Sequence, residues 1–117
     1  MTGPGAGVGP DLPAGAWRLL AMDGTPVAFR ATLVFGSDNS VSGQAPCNRY
    51  SAPNRAALPQ LAIGPIRTTR MACRWLAAER DFLDALSRMT RAGIASGERL
   101  VLSGPDGRTM TFTALPA

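Results

Sequence analysis

Short alternations of apolar and polar residues, separated by turn sequences, fill most of the chain after residue 16. The alternation indicates β-structure, and the sequence Asp23-Gly24 is a strong signal for a two-residue hairpin turn. In the last predicted strand Met110 and Phe112 face one side, while threonines face the other. Strands are predicted at residues 17–22, 32–35, 40–43, 99–103 and 108–113.

The centre of the chain is less regular. Residues 26–29 predict a short edge segment, where a proline is tolerated. Residues 44–57 contain proline and asparagine and predict an irregular connection, with a crossing of the sheet edge as the alternative. Residues 58–66 predict one or two short strands interrupted by Pro59, Gly64 and Pro65.

Helical spacing of apolar residues occurs once, between Trp75 and Met89, and predicts one helix over about 74–91. The acidic residues of this segment do not form a carboxylate pair, because Glu79 and Asp81 project about 200° apart on a helix. We therefore expect these acidic residues on a solvated face of the helix, where Asp84 can form ion pairs with Arg80 and Arg88. The predicted fold class is α+β: a single domain with a curled, mostly antiparallel sheet and one main helix.

The chain begins with a segment rich in Gly and Pro, residues 1–16, which predicts a flexible lead-in to a domain over 17–117. The segment has neither the basic start nor the apolar stretch of a signal peptide. No run approaches the ~20 apolar residues of a membrane-spanning helix. We expect a membrane association only through an anchor or signal that is not present in this chain.

Composition narrows the chemistry. Histidine is absent, which removes the commonest general base and metal ligand, and two cysteines are too few for a zinc site. We therefore expect no enzyme activity, no catalytic residue, no cofactor and no metal. The net charge of +4 comes from twelve basic residues, all arginine, which are scattered along the chain. Scattered charge is typical of a solvated surface, so we expect no nucleic-acid partner.

Two segments carry most of the information, residues 45–51 and 67–73. Cys47 and Cys73 allow either a disulfide or two buried thiols. A third hypothesis is that Cys73, which lies near a helix start and between two arginines, is a redox-sensitive thiol. Nearby polar residues allow a patch in which Arg49 and Arg70 bind a carboxylate. The simpler alternative is that Asn48 and Thr69 satisfy local backbone groups, with Thr68 or Thr69 as the N-cap of a helical turn.

The order of these motifs resembles the META domain family, which includes HslJ-like heat-inducible bacterial proteins. The resemblance covers roughly residues 17–115, and no single motif carries it. The matching residues are Trp17 with Leu19, Thr32-Leu33-Val34-Phe35, Ser42-Gly43, Cys47-Asn48-Arg49-Tyr50, Thr69-Arg70-Met71-Ala72-Cys73, Glu79 through Leu86 of the helix and Leu100-x-Leu102. The chain departs from the family pattern in lacking a lipobox or signal and in having Pro46 instead of Gly before the first cysteine.

The resemblance implies a non-catalytic domain of a stress-related bacterial envelope protein. We expect it to act through protein contacts as a monomer. It implies a location in the periplasm or at the outer membrane, or in the cytoplasm if no signal was removed. The candidate interaction patch consists of Asn48, Arg49, Tyr50, Thr69, Arg70 and Met71. The alternatives are a thiol-based redox-responsive protein and a protein-binding or inhibitor-like module. An exposed strand edge near residues 58–66 would favour the binding module.

Overall fold

The computed structural model describes residues 7–9, 12–13, 15–95 and 98–115, and the predicted flexibility of residues 1–16 falls largely outside them. These residues form eleven strands, one α-helix and one 3₁₀ turn. The elements are β1 (Gly7–Gly9), β2 (Leu12–Pro13), β3 (Ala16–Met22), β4 (Thr25–Pro26), β5 (Thr32–Phe35), β6 (Ser40–Gln44), β7 (Arg49–Pro53), β8 (Arg67–Thr68), α1 (Leu76–Ser87), β9 (Arg91–Ile94), β10 (Arg99–Ser103), the 3₁₀ turn (Pro105–Gly107) and β11 (Thr109–Ala114).

Nine strands form one antiparallel sheet in the order β8-β7-β6-β5-β3-β11-β10-β9, with β4 paired to β3 beside this path. Strands β1 and β2 pair separately. The early strand β3 and the late strand β11 are neighbours in the middle of the sheet, with Met22 opposite Met110. The sheet is open, so β8 and β9 are its two edges. The predicted α+β class with a mostly antiparallel sheet is confirmed.

Alternation along the strands explains which side faces the core. In β11 Met110 and Phe112 are fully buried, and in β10 Leu100 and Leu102 are fully buried opposite them. The hairpin signal after β3 is also confirmed: Asp23 and Gly24 both have positive φ, at 51° and 81°, as a type I′ turn requires.

Helix α1 covers the buried side of the sheet with Phe82, Ala85 and Leu86, and Met89 follows it into the core. It lies inside the predicted range of 74–91 but is shorter at both ends. Trp75 occupies the N-cap without a side-chain hydrogen bond to the helix. Met89 is buried just after the helix, so the chain turns there to enter β9.

Three local predictions in the centre are wrong. Residues 44–57 contain β7, whose buried Tyr50 and Ala52 alternate with exposed residues. Residues 58–66 contain no named strand; Leu58 and Leu61 are buried, and Gln60 and Ile63 form isolated bridges. The stretch after the helix, where no strand was predicted, contains β9.

Candidate interaction site

A disulfide joins the two informative segments. Cys47 lies in the loop between β6 and β7, and Cys73 lies just before α1; their Cα atoms are 5.8 Å apart. The structure therefore holds neither two buried thiols nor a free Cys73 thiol. Cys47 is half-buried and Cys73 is exposed, so one side of the bridge is accessible to solvent.

A buried carboxylate lies beside this disulfide. Glu79 of α1 is only 4% exposed, and its Oε1 accepts the backbone N–H groups of Cys47 and Asn48, each at 2.8 Å. Its Oε2 accepts the side-chain N–H of Asn48 at 2.7 Å. The predicted solvated position of Glu79 is wrong. Its burial is stable because three donors replace the water that the carboxylate loses.

Asn48 connects this carboxylate to the segment after β8. Its Oδ1 accepts the Thr69 hydroxyl at 2.8 Å and the Met71 backbone N–H at 2.7 Å, and its Nδ2 also donates to the Met71 carbonyl at 3.0 Å. Every polar atom of this side chain, which is 3% exposed, therefore has a partner. We call Asn48, Thr69 and Glu79, together with the backbone groups they bind, the Asn48–Glu79 network.

Tyr50 attaches β7 to the core. Its ring meets Phe82 edge to face, with centroids 5.6 Å apart, and its hydroxyl donates to the Thr32 carbonyl at 2.7 Å. Burial raises the pKa of the Tyr50 hydroxyl well above its usual range. The same Thr32 carbonyl excludes a side chain at Gly43, where a Cβ would lie only 2.2 Å from it. Glycine at 43 thus lets β5 and β6 approach closely.

Next to the Asn48–Glu79 network is an exposed surface formed by Arg49, Arg67, Arg70 and Met71, which we call the arginine edge. All four residues are exposed, and Met71 is 67% exposed, the largest exposure of any large apolar residue described. Arg49 and Arg67 line a shallow depression of about 280 Å³ on the β7–β8 side of the sheet. Within the described residues, ion pairs form only at Asp84–Arg88 and Asp23–Arg108, so the arginines of the edge have no acidic partner there.

The predicted patch is therefore divided by the fold. Asn48 and Tyr50 are buried and satisfy internal groups, and the Thr69 hydroxyl is engaged by Asn48 and by the Arg49 backbone N–H. Arg49, Arg70 and Met71 do reach solvent. The local role predicted for Asn48 and Thr69 agrees with these contacts. The predicted N-cap at Thr68 or Thr69 is wrong, because no helix begins there.

Sequence reasoning missed two features of this site. Glu79 is three and seven residues before Phe82 and Leu86, which places it on the buried face of the helix. The arginines also look scattered until the acidic residues are considered. Residues 39–78 contain five arginines and neither Asp nor Glu, so this stretch carries a charge of +5 in a chain whose total is +4.

The site offers hydrogen-bond donors, positive charge and one apolar side chain on an open surface, which suits the recognition of carboxylates. Over the described ranges, no three Cys, Asp or Glu side chains gather in a way that would hold a metal ion. The described part of the chain also has no helix long and apolar enough to cross a membrane.

The comparison with family models decides the assignment. The model of the META domain matches residues 10–117, nearly the whole chain. The chain belongs to the META domain family. The disulfide, the Asn48–Glu79 network and the arginine edge are therefore features of this META domain.

Two solved structures are similar to this META domain. A protein from Burkholderia xenovorans, solved by NMR, is 27% identical with a TM-score of 0.72, and the match covers 89% of this chain and 83% of that one. A second protein structure, also solved by NMR, is 20% identical with a TM-score of 0.66 and supports the fold alone; that match covers 97% of this chain and 96% of the other. Among the curated proteins none matches.

Proposed function

We propose that this META domain is a non-catalytic protein-contact module of a stress-related bacterial envelope protein and that the arginine edge makes the contact. The observation that carries the proposal is the exposed set of Arg49, Arg67 and Arg70 around Met71, which form no ion pair with the described residues and lie next to the Asn48–Glu79 network. A surface whose supports are already fixed loses less conformational entropy when it binds.

The roles of the reactive side chains support a non-catalytic function. Glu79, the most buried carboxylate, is occupied by three hydrogen-bond donors. Cys47 and Cys73 are consumed by the disulfide. These groups, which are the natural candidates for acid–base or thiol chemistry in a chain without histidine, are thus committed to structure.

The disulfide also supports a location in an oxidising compartment such as the periplasm, because reducing systems keep cytosolic thiols reduced. Rapid alkylation of intact cells before lysis tests this part. We expect Cys47 and Cys73 to be protected until a reductant is added. Two alkylated cysteines in native protein would contradict the location.

Quantitative capture of partners from envelope fractions tests the contact itself. The bait proteins are the wild type, Arg49→Ala/Arg70→Ala, and the control Arg91→Ala/Arg99→Ala, which removes the same charge from exposed positions elsewhere. We expect a partner that the wild type and the control retain and that the edge variant loses. Identical partner lists for all three would contradict the proposal. Capture before and after a heat challenge of the cells tests the link to stress. If the link holds, we expect a larger amount of captured partner after the challenge.

The exposed side of Cys73 favours one alternative, a redox-responsive protein. In that function reduction of the disulfide would change partner binding. Equal capture by the oxidised and reduced wild type would exclude it.

A further inference from the structure

The charge of this META domain is concentrated at one end of the sheet. Five arginines and no acidic residue occur in residues 39–78, which contain β6, β7 and β8, and Glu79, the next residue, is buried. The acidic side chains of α1, Asp81 and Asp84, lie on its exposed side. The arginine edge therefore presents positive charge that the described structure does not neutralise with an ion pair.

This end of the sheet is also an open edge. The register pairs Ser51 with Arg67 and Tyr50 with Thr68, and the Thr69 backbone N–H donates to the Arg49 carbonyl at 3.1 Å. Hydrogen-bonded pairs alternate along an antiparallel ladder. The backbone groups of Thr68 therefore point away from β7.

The segment after β8 continues the same pattern. The Met71 backbone N–H and carbonyl bind Asn48, whereas the Arg70 backbone groups have no hydrogen-bond partner among the described residues. The register turns the Thr68 backbone groups away from β7. Residues 67–74 are all exposed. Thr68 and Arg70 thus present backbone donors and acceptors at the edge of the sheet. Such an edge is a template on which a further strand can form.

We propose, building on the protein-contact function above, that the β8 edge binds an extended acidic segment of a partner protein as an additional strand. The partner backbone pairs with Thr68 and Arg70, and its carboxylates meet Arg49 and Arg67, which the register places on the same face of the sheet. An apolar partner side chain packs on Met71, whose exposure leaves that contact unfilled.

Charge complementarity selects this occupant. A second copy of the chain would bring the same arginines together, and like charges across neighbouring strands are destabilising. Nucleic acid would supply negative charge, but the aromatic residue nearest the ladder, Tyr50, is buried and offers no ring for base stacking. An acidic peptide uses both the arginines and the backbone edge.

Fluorescence polarisation with synthetic peptides tests the proposal. The probe is a labelled peptide of alternating glutamate and valine. Its two controls are the same sequence N-methylated at alternate amides, which cannot pair as a strand, and a peptide in which lysine replaces glutamate. We expect the probe to bind the wild type and both controls to bind at least about ten-fold more weakly.

Protein variants separate the edge from general charge. Arg49→Ala/Arg67→Ala/Arg70→Ala should weaken the probe by about ten-fold or more, whereas the matched control Arg80→Ala/Arg91→Ala/Arg99→Ala should change it less than about three-fold. Amide NMR shifts on adding the probe should centre on Thr68 and Arg70. Circular dichroism of both variants verifies that they fold.

Several results would overturn the proposal: equal binding of the parent and N-methylated peptides, equal loss in the two triple variants, or displacement of the probe by oligothymidine at lower concentration than by unlabelled peptide. Its failure is distinguishable from failure of the protein-contact function. If the probe does not bind but partner capture still depends on Arg49 and Arg70, only strand addition is wrong. If capture is also independent of them, both are wrong.

Discussion

Two regions of this META domain are held together by different kinds of contact. In the hairpin region, formed by β3, β10 and β11, regular ladders bury alternating apolar residues such as Leu102 and Phe112. In the network region, residues 45–79, one disulfide and one buried polar cluster join a loop, a short strand and the start of a helix. The first region depends on many interchangeable contacts, and the second on a few specific ones.

This difference determines how each region tolerates substitution. An apolar core adapts to changes of similar volume. A buried polar cluster is stabilising only while each member is satisfied, because the loss of one partner exposes the others to the full cost of desolvation. Single substitutions in the network region should therefore have larger effects than their size suggests.

The largest effect is expected for Glu79→Ala. The substitution leaves the N–H groups of Cys47 and Asn48 and the Asn48 amide without their acceptor, and we expect a loss of about 3–5 kcal/mol. Urea denaturation measures it. The control Asp81→Ala, on the exposed side of the same helix, should cost less than about 0.5 kcal/mol. Equal effects of the two substitutions would remove the contrast between the regions.

Removal of the disulfide is expected to have the next largest effect. Cys47→Ala/Cys73→Ala opens a link across a sequence separation of 26 and should lower the unfolding free energy by about 2–4 kcal/mol. Hydrogen exchange sharpens the comparison: protection should fall for the amides of residues 47, 48, 69 and 71 and remain in β10 and β11. Uniform loss of protection would mean that the two regions unfold as one unit.

A smaller effect is expected for Tyr50→Phe. It removes the hydrogen bond to the Thr32 carbonyl and should cost about 1 kcal/mol near neutral pH. The raised pKa of Tyr50 means that the folded protein retains a proton that the unfolded chain releases above about pH 10. Wild-type stability should thus fall as the pH rises past that point, and Tyr50→Phe should fall less steeply. Parallel curves would contradict this assignment.

The smallest effect concerns the hairpin region in acid. The Thr109 backbone N–H and the Arg108 side chain lower the pKa of Asp23 below the ordinary aspartate value of 3.8. The folded state then binds fewer protons than the unfolded chain, so the contribution is present above about pH 4 and is lost as the pH falls through the lowered pKa. Asp23→Asn should reduce this acid dependence slightly, while Asp106→Asn, also exposed, should leave it unchanged. Identical pH profiles of the wild type and Asp23→Asn would disprove it.

Prediction from sequence succeeded where local rules govern. The turn at Asp23-Gly24 and the alternation of Met110 and Phe112 are visible within a few residues, so the hairpin region could be derived directly. Strand β7 was missed because its alternating residues include a proline and a small alanine. Strand β9 was missed because Gly93 has no side chain that indicates a face.

The network region was harder because its contacts join residues distant in sequence. Nothing near Glu79 indicates that its donors come from residues 47 and 48. Helical spacing places Glu79 on the buried face, but a buried carboxylate is an exception that apolar patterning does not anticipate. The arginines can be counted in the sequence, but their grouping on one surface is indicated only by the absence of acidic residues from the same stretch of chain.

The central pairing of β3 with β11 has a consequence for how the chain becomes folded. The strands from β5 to β8 join the C-terminal hairpin only through this pairing, and its contacts span most of the described sequence. Folding dominated by such distant contacts is slow. During synthesis the nine-stranded sheet stays incomplete until β11 has emerged from the ribosome. Until that moment β3 has an unpaired side where β11 will lie.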